Sequence, residues 1–174
     1  MATTLPVILI TGPVGVGKTT VAFEVSALLE AAGVAHAVVD MDALRSCHPA
    51  PPGDRFNEAL GLRNLAAIWP NFRAAGAGRV LLADVVESRD ELPRYREAIP
   101  GAAITVVRLC ASLETLTARV RRRESGALLA WHLERTAELA AQMERDQLED
   151  FAVETDGRAV AEVAREILER CGWG

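Results

Sequence analysis

Apolar residues occur along the chain in short uninterrupted runs, separated by longer stretches in which they recur every three or four positions. The short runs predict five strands, near residues 5–10, 35–40, 79–84, 103–109 and 150–154. The longer stretches predict helices over 19–32, 57–75, 87–98, 113–124 and 128–148, and a further helix from 160 onward. The last helix has the clearest apolar face, formed by Val160, Val163, Ala164, Ile167, Leu168 and Cys171.

Strands that alternate with helices are typical of a parallel sheet whose crossover helices cover both faces. A chain of 174 residues, half of them apolar and a quarter charged, is suited to one hydrophobic core. We therefore predict an α/β fold in three layers around a five-stranded parallel sheet, in a single domain over 1–174. The stretch 48–54, rich in proline and glycine, predicts a loop after the second strand and not a domain linker.

Charge and hydropathy argue against several classes of protein. The formal net charge of −5 is unlike that of a general nucleic-acid-binding surface. No apolar stretch is long enough to span a bilayer, and residues 1–10 lack the basic start and apolar length of a signal peptide. We therefore expect a cytoplasmic protein with neither nucleic acid nor membrane as partner. Cys47, Cys110 and Cys171 lack the spacing of a zinc site and are interpreted as ordinary thiols.

The strongest chemical motif directly follows the first predicted strand. It matches the phosphate-binding loop G-x-x-x-x-G-K-[ST] and consists of Gly12, Pro13, Val14, Gly15, Val16, Gly17, Lys18 and Thr19. Glycines let backbone N–H groups surround a polyphosphate, and the following helix directs its positive end toward the same anion. We predict that Lys18 reaches the β- and γ-phosphates, that Thr19 binds Mg²⁺, and that Thr20 completes the nucleotide site. The expected fold is that of the P-loop NTPases.

A second cluster of polar residues, Asp40, Asp42 and Arg45, closes the second predicted strand. The carboxyl ends of strands in a parallel sheet border the ligand crevice. We assign Asp40 to Mg²⁺ and Asp42 to the base that accepts a proton from an acceptor hydroxyl. Two alternatives stay open: Asp42 caps a short helix that begins near Ala43, and Arg45 either grips an anionic acceptor or lies on a solvated face.

Two later segments complete the predicted site. The third strand ends in Asp84, as a Walker B strand does when its carboxylate helps to organise Mg²⁺. Four arginines between 119 and 123 exceed what a helix end needs, and they predict a small lid over about 119–130. Within it, Arg119 and Arg123 would neutralise the transferred phosphoryl group. The alternatives are a turn at Asp84 and ordinary helix-end stabilisation by the arginines.

Together these residues resemble the small P-loop kinases of the adenylate-kinase-like group, which includes adenylylsulfate, shikimate and gluconate kinases and chloramphenicol phosphotransferase. Residues 40–45 look like the D-x-D-x-x-R segment of adenylylsulfate kinases, and this resemblance implies that Asp42 is the base. It also implies that the arginine segment is the lid, and that the turn at 155–157, with Gly157, packs the adenine of ATP. The segment after the third strand lacks the aromatic and arginine pattern of adenylylsulfate kinases, so the resemblance does not name the acceptor.

We predict an ATP-dependent phosphotransferase, a kinase that moves the γ-phosphoryl group of Mg-ATP to a small-molecule acceptor, expected to be a hydroxyl compound. Its partners are ATP or ADP and that acceptor, which the region about 42–75 would hold through Asp42, Arg45 and Arg63. Two alternatives stay open. A nucleoside monophosphate kinase would share the loop and the lid, and a non-catalytic ATP-binding sensor or regulated ATPase would bind the nucleotide without an acceptor.

Overall fold

The computed structural model describes residues 4–174, apart from the side chains of Arg55 and Ala127, so residues 1–3 of the expected domain lie outside it. The described part contains five strands: β1 Leu5–Thr11, β2 Ala37–Asp40, β3 Val80–Ala83, β4 Ala102–Cys110 and β5 Phe151–Glu154. It also contains seven α-helices: α1 Lys18–Ala31, α2 Met41–Arg45, α3 Glu58–Ala74, α4 Leu92–Ala98, α5 Leu113–Arg123, α6 Ala127–Asp146 and α7 Val160–Cys171. Single 3₁₀ turns over Arg55–Asn57 and Arg89–Glu91 precede α3 and α4. None of the helices found there has both the length and the apolar character of a membrane span.

The five strands form one parallel sheet in the order β2-β3-β1-β4-β5. β1 lies at the centre, where Val7 is opposite Val80 of β3 on one side and Ile104 of β4 on the other. From β1 the chain runs first toward β2 and later toward β4, so the strand order reverses at this point. Ligands of parallel α/β sheets bind at such a reversal, beyond the carboxyl ends of the strands.

Side chains of β1 alternate between two hydrophobic cores, one on each face of the sheet. Ile8 and Ile10 pack with residues of α1 and α7, whereas Val7 and Leu9 pack with residues of α3 and α4. All four side chains are at most 1% exposed, and each contributes about 1.5–3 kcal/mol by leaving water. The strand that leads into the glycine-rich loop is therefore held firmly on both faces.

The predicted fold is confirmed, since all five strands overlap their predicted positions and all are parallel. Two helices differ from the prediction. The five-residue α2 was anticipated only as an alternative, as a short helix beginning near Ala43, and it begins two residues earlier, at Met41; one turn is too short to show a helical period. The helix predicted from 87 begins only at Leu92. Ser88 and Glu91 form a capping box around the 3₁₀ turn that precedes it.

Candidate active site

The glycine-rich loop joins the end of β1 to the start of α1, at the carboxyl edge of the sheet. Gly12, Gly15 and Gly17 have φ values of 145°, 84° and 104°, which residues with a Cβ rarely adopt. At Gly12 a Cβ would also lie 2.7 Å from the carbonyl oxygen of Leu109. Gly17 is the N-cap of α1, so the first amides of the helix open toward the loop. This arrangement is suited to binding phosphate.

Lys18, the first residue of α1, folds back onto the loop. Its Nζ donates to the carbonyl oxygen of Gly12 at 3.0 Å and to that of Pro13 at 3.2 Å. Burial lowers the pKa of Lys18 to about 8, although the carboxylates of Asp42 and Asp84 oppose the shift. An anion bound in the loop would favour the charged form. Binding of a phosphate in the loop would therefore raise the pKa of Lys18 and keep its amine protonated.

Thr19 and Asp40 bring the loop and the end of β2 together. The Thr19 hydroxyl donates to Asp40 Oδ2 at 2.9 Å, and Asp40 Oδ1 accepts a hydrogen bond from the backbone N–H of Asp42 at 2.9 Å. The second contact makes Asp40 the N-cap of α2, which begins at Met41. The capping function that the sequence left open for Asp42 therefore belongs to Asp40.

The oxygen atoms of Thr19 and Asp40 fit a Mg²⁺ ion. Mg²⁺ in phosphate sites commonly takes only one or two oxygen ligands from the protein, and phosphates and water supply the rest. In residues 4–174 no group of three or more His, Cys, Asp or Glu residues is arranged to hold a metal ion by itself. The hydroxyl–carboxylate pair would therefore serve a metal that arrives with the nucleotide and not a resident metal centre.

Asp42 is the exposed member of the aspartate pair, since 71% of its side chain is accessible to solvent. It lines a cavity of about 360 Å³, to which Lys18 and Thr19 of the loop also contribute. Its Oδ1 lies 3.8 Å from Nε of Arg45, one turn further along α2. The position is compatible with the assignment of Asp42 as the base, which stays a prediction.

Asp84 has partners that differ from the metal site expected for it. Its side chain is 2% exposed, and its Oδ1 accepts hydrogen bonds from Arg45 Nη2 and from the backbone N–H of Val85. Its Oδ2 accepts a 2.6 Å hydrogen bond from the hydroxyl of Tyr95. Burial raises the pKa of Asp84, an effect that the Arg45 guanidinium opposes. Because both oxygens are engaged within the protein, the geometry favours Asp84 as the anchor of Arg45 over a metal ligand.

The two predicted lid arginines have different surroundings. Arg119 donates from Nη1 to the carbonyl oxygen of Val16 and to the hydroxyl of Thr155, both at 3.1 Å. It therefore ties the glycine-rich loop to the turn that follows β5. Arg123 is 59% exposed and pairs with Glu124 at 2.9 Å. Of the two, Arg123 has its guanidinium open to solvent beside the loop, whereas Arg119 already bridges two segments of the protein.

Two cavities flank the loop and share part of its wall. Both are lined by Gly15, Gly17, Thr20 and Arg123. The second cavity, of about 580 Å³, extends over Thr155 to Val160 at the start of α7. Gly157 lies in that turn with a φ of 66° but does not itself line the cavity. The phosphate loop therefore separates two spaces, one beside Asp42 and one beside the 155–157 turn.

Several residues that line the Asp42 cavity were missed by the sequence analysis. They are Phe56, Glu58, Glu87, Trp131, His132, Arg135 and Leu139. Phe56 and Trp131 have ring centroids 5.9 Å apart, and Arg135 pairs with Glu87. These pairs join segments far apart in the chain, and no local motif marks them. Trp131 is 44% exposed, but this is a property of the structure that its surroundings in the sequence did not indicate.

Arg63, expected to bind the acceptor, lies elsewhere. It is exposed on α3 and lines a shallow depression with Pro51, Pro52 and Arg94. It is absent from the wall of the Asp42 cavity, which Arg45 does line. The structure thus brings Arg45 to the loop and leaves Arg63 on the outer side of the acceptor region.

Comparison with known protein families shows to which family the chain belongs. The family model for adenylylsulphate kinase matches residues 5–119, well over half of the chain. The chain belongs to the adenylylsulphate kinase family. The matched segment contains the glycine-rich loop, the aspartate pair and Asp84. Members of this family are small P-loop kinases, so the chain is an enzyme that phosphorylates small molecules and uses ATP. No curated protein sequence matches it.

Solved structures of similar fold cover nearly the whole chain. A gluconokinase from Sinorhizobium meliloti is 25% identical over 96% of this chain and 91% of its own, with a TM-score of 0.61. The APS kinase of Mycobacterium tuberculosis, solved with AMPPNP and APS, is 21% identical over 95% and 96%, with a TM-score of 0.63. A tunicamycin resistance protein from Deinococcus radiodurans is 20% identical over 98% and 97%, with a TM-score of 0.64. The last two similarities show the fold.

Proposed function

We propose that this enzyme transfers the γ-phosphoryl group of Mg-ATP to the hydroxyl group of a small-molecule acceptor. The observation that carries the proposal is the position of Asp42. Its carboxylate is exposed in the same cavity as Lys18 and Thr19 of the phosphate loop, and Asp40 occupies the cap of α2 in its place. A carboxylate free to face an acceptor beside the phosphates is the group that a hydroxyl acceptor needs.

The nucleotide would lie across the loop with its phosphates against the amides that precede and begin α1. Lys18 would leave the carbonyl oxygens of Gly12 and Pro13 and pair with the β- and γ-phosphates. The adenine would occupy the cavity beside Thr155 and Val160, where a 37% exposed valine side chain offers an apolar surface. Arg119 would act indirectly, by holding the loop and the 155–157 turn at a fixed separation.

Thr19 and Asp40 would hold Mg²⁺ together with the phosphates, Thr19 through its hydroxyl and Asp40 through Oδ2. When bound, the ion neutralises charge that develops on the phosphate oxygens. Asp84 is left out of this set because Arg45 and Tyr95 engage both of its oxygens. The metal site proposed here is therefore smaller than the one that the sequence predicted.

Chemistry at the acceptor begins with a hydroxyl group held between Asp42 and the γ-phosphate. Asp42 accepts the hydroxyl proton as the acceptor oxygen forms its bond to the γ-phosphorus, and the bond to the bridging oxygen breaks to release ADP. Arg123 lines both cavities. Its guanidinium group would neutralise negative charge on the phosphoryl group during transfer. Catalysis in this scheme rests mainly on positioning and on charge neutralisation.

The names of the structural neighbours do not select an acceptor. One is a gluconokinase, one was solved with APS, and one is a tunicamycin resistance protein. Related folds host different acceptors by changing the side chains around a common phosphate site. The acceptor must therefore be inferred from the wall of the cavity in this chain.

Phosphoryl transfer is tested by ADP release from Mg-ATP in the presence of pooled acceptors, which include polyols, sugar acids, nucleosides, nucleoside monophosphates and adenylylsulfate. We expect one pool to accelerate ADP release and a phosphorylated product to appear in it. The Lys18→Ala variant controls for contaminating kinases and is expected to abolish the stimulation. Stimulation by nucleoside monophosphates alone would favour the monophosphate kinase. Saturable ATP binding without stimulation by any pool would favour the sensor.

A further inference from the structure

Two carboxylates lie beside the guanidinium group of Arg45. Its Nη2 donates to Oδ1 of Asp84, and its Nε lies 3.8 Å from Oδ1 of Asp42. The first contact is a hydrogen bond, whereas the second is too long to be one. Asp84 is 2% exposed and Asp42 is 71% exposed. Arg45 is therefore bonded to the buried carboxylate and not to the proposed base.

Asp84 is fixed on the central strand of the sheet. Its backbone N–H donates to the carbonyl oxygen of Ile10, near the end of β1, at 3.1 Å. Its side chain accepts hydrogen bonds from the hydroxyl of Tyr95 and from the backbone N–H of Val85. The free space beside Arg45, Asp84 and Tyr95 is about 10 Å³, the lower limit for one water molecule. The buried carboxylate thus depends on Arg45 for its charge partner, and losing that partner would be costly.

The carboxyl end of α2 is held by side chains from the next segments of the chain. Nδ2 of Asn64 donates to the carbonyl oxygen of Leu44 at 2.7 Å. Nδ2 of Asn57 donates to the carbonyl oxygen of Arg45 at 2.8 Å. These bonds satisfy carbonyl groups that a helix end leaves unpaired. Because the backbone of α2 is held in this way, a rotation of the Arg45 side chain is the movement that would bring its guanidinium group onto Asp42.

Pairing of Arg45 with Asp42 would impair the proposed base. A carboxylate that accepts hydrogen bonds from a guanidinium group has fewer lone pairs to offer, and the adjacent positive charge favours its ionised form. It therefore takes a proton from an acceptor hydroxyl less readily. Without Asp84, the guanidinium group would be left with Asp42 as the carboxylate beside it. The bond from Arg45 to Asp84 thus determines whether the base is available.

We propose that Asp84 is a positioning residue of the transfer reaction, which holds Arg45 away from Asp42 and so leaves the base free to face the acceptor. Tyr95 supports this arrangement by donating to the second oxygen of Asp84. Asp84 acts through Arg45 and touches neither nucleotide nor acceptor, because both of its oxygens are engaged within the protein. This inference rests on the proposed function, since it concerns the base of that reaction.

Two substitutions of Asp84 test the inference by kinetics. ADP release from Mg-ATP gives kcat, with adenylylsulfate, gluconate and shikimate as probe acceptors. We expect kcat to fall about ten-fold in Asp84→Ala and less in Asp84→Asn, which keeps one oxygen for Arg45, while the affinity for Mg-ATP stays unchanged. Glu149→Ala is the matched control, because it removes the buried partner of Arg108 outside both cavity walls. It is expected to lower stability and not kcat. Unchanged kcat in a folded Asp84→Ala enzyme would overturn the inference.

The Asp42→Asn enzyme separates a positioning role of Asp84 from a structural one. If Asp84 acts by keeping Asp42 free, Asp84→Ala lowers kcat only while Asp42 is present. The double variant Asp42→Asn/Asp84→Ala is then expected to have the kcat of Asp42→Asn alone. A further ten-fold loss in the double variant would assign Asp84 a purely structural role and would contradict the proposal.

NMR of the arginine side-chain nitrogens tests the pairing without an acceptor, and it decides the question even where Asp84→Ala fails to fold. In the enzyme with Mg-ADP we expect separate Nη signals for Arg45, because the bond to Asp84 hinders rotation of the guanidinium group. These signals are expected to persist in Asp42→Asn. Their loss in that variant would identify Asp42 as the partner of Arg45 and would overturn the inference. The proposed function fails on a different result, in which the Arg45 signals behave as expected and yet no compound accelerates ADP release.

Discussion

Thr19 Oγ1 donates a 2.9 Å hydrogen bond to Asp40 Oδ2, and this contact joins the two halves of the candidate site. Thr19 belongs to the nucleotide side, at the start of α1. Asp40 belongs to the acceptor side, because its other oxygen caps the helix that carries Asp42. A single carboxylate thus sets the distance between the proposed metal site and the proposed base. The following predictions test the residues on either side of it.

Replacement of Asp42 by asparagine removes the proposed base and keeps the size of the side chain. We expect kcat to fall by about 10²–10⁴-fold, the usual contribution of a positioned base, while the Kd of Mg-ATP stays unchanged. Steady-state kinetics with the identified acceptor and calorimetric titration of ATP measure the two quantities. Asp146→Asn, a change of the same kind at the end of α6, is the control. Full activity of Asp42→Asn would rule out Asp42 as the catalytic base. It would favour a phosphate group as the acceptor, because a phosphate acceptor needs no base.

The affinity for Mg-ATP is expected to fall as the pH rises above about 8, the pKa to which burial lowers Lys18. Below this pH Lys18 is charged both before and after binding, so affinity is flat. Above it the amine of Lys18 in the free enzyme is neutral, and it must take up a proton from solvent before it can pair with the phosphates of ATP. Calorimetry in two buffers of different ionisation enthalpy is expected to detect proton uptake at about pH 8.5. Lys18→Arg keeps its charge throughout, and a slope that persists in this variant would assign the effect to another group.

Arg119 is predicted to affect the nucleotide and not the acceptor. Arg119→Ala removes the bridge from Val16 to Thr155, so we expect the Kd of ATP to rise about ten-fold with little change in the KM of the acceptor. Arg119→Lys, which restores one donor, is expected to recover part of the affinity. The comparison is Arg123→Ala, for which kcat is expected to fall more than ATP affinity. A large loss of kcat at normal ATP affinity in Arg119→Ala would instead place Arg119 at the transferred phosphoryl group.

Tyr95→Phe tests the anchor beneath Arg45. The change removes the donor to Asp84 Oδ2 and leaves that oxygen buried, so we expect a loss of about 1–3 kcal/mol in the free energy of unfolding, measured by urea titration. Tyr95 is the single tyrosine of the chain, and its pKa is raised well above the ordinary value, first by burial and then by the adjacent carboxylate. Absorbance of phenolate in the native protein near pH 10 would contradict this environment.

The sequence predicted the sheet and the phosphate loop because both depend on neighbouring residues. Apolar runs define β1 and β3 without reference to the rest of the chain, and the glycines of the loop are required by its backbone conformation. The carboxyl ends of parallel strands meet at one edge, so the proximity of Asp40 to Thr19 also followed from the strand pattern.

Contacts between distant segments could not be predicted from local patterns. Arg135 and Glu87 are 48 positions apart, and neither is marked by its neighbours. Asp84 matched the metal-site pattern, but its partner Arg45 lies 39 positions earlier in the chain, on the short helix α2. The pattern of a strand in the sequence predicts that a carboxylate lies at the edge of the sheet. It does not predict whether that carboxylate pairs with a guanidinium group or binds a metal ion.

The central position of β1 in the sheet stabilises the strand that leads into the phosphate loop. β3 and β4 pair with β1 on either side, so its amides can exchange with solvent only when the sheet itself opens. α2, which carries Asp42, is tied to the end of β3 through the pair of Arg45 with the buried Asp84, so the carboxylate of Asp42 is held beside the loop. A different acceptor would therefore require different side chains around the cavity, while the strand and the phosphate loop could stay as they are.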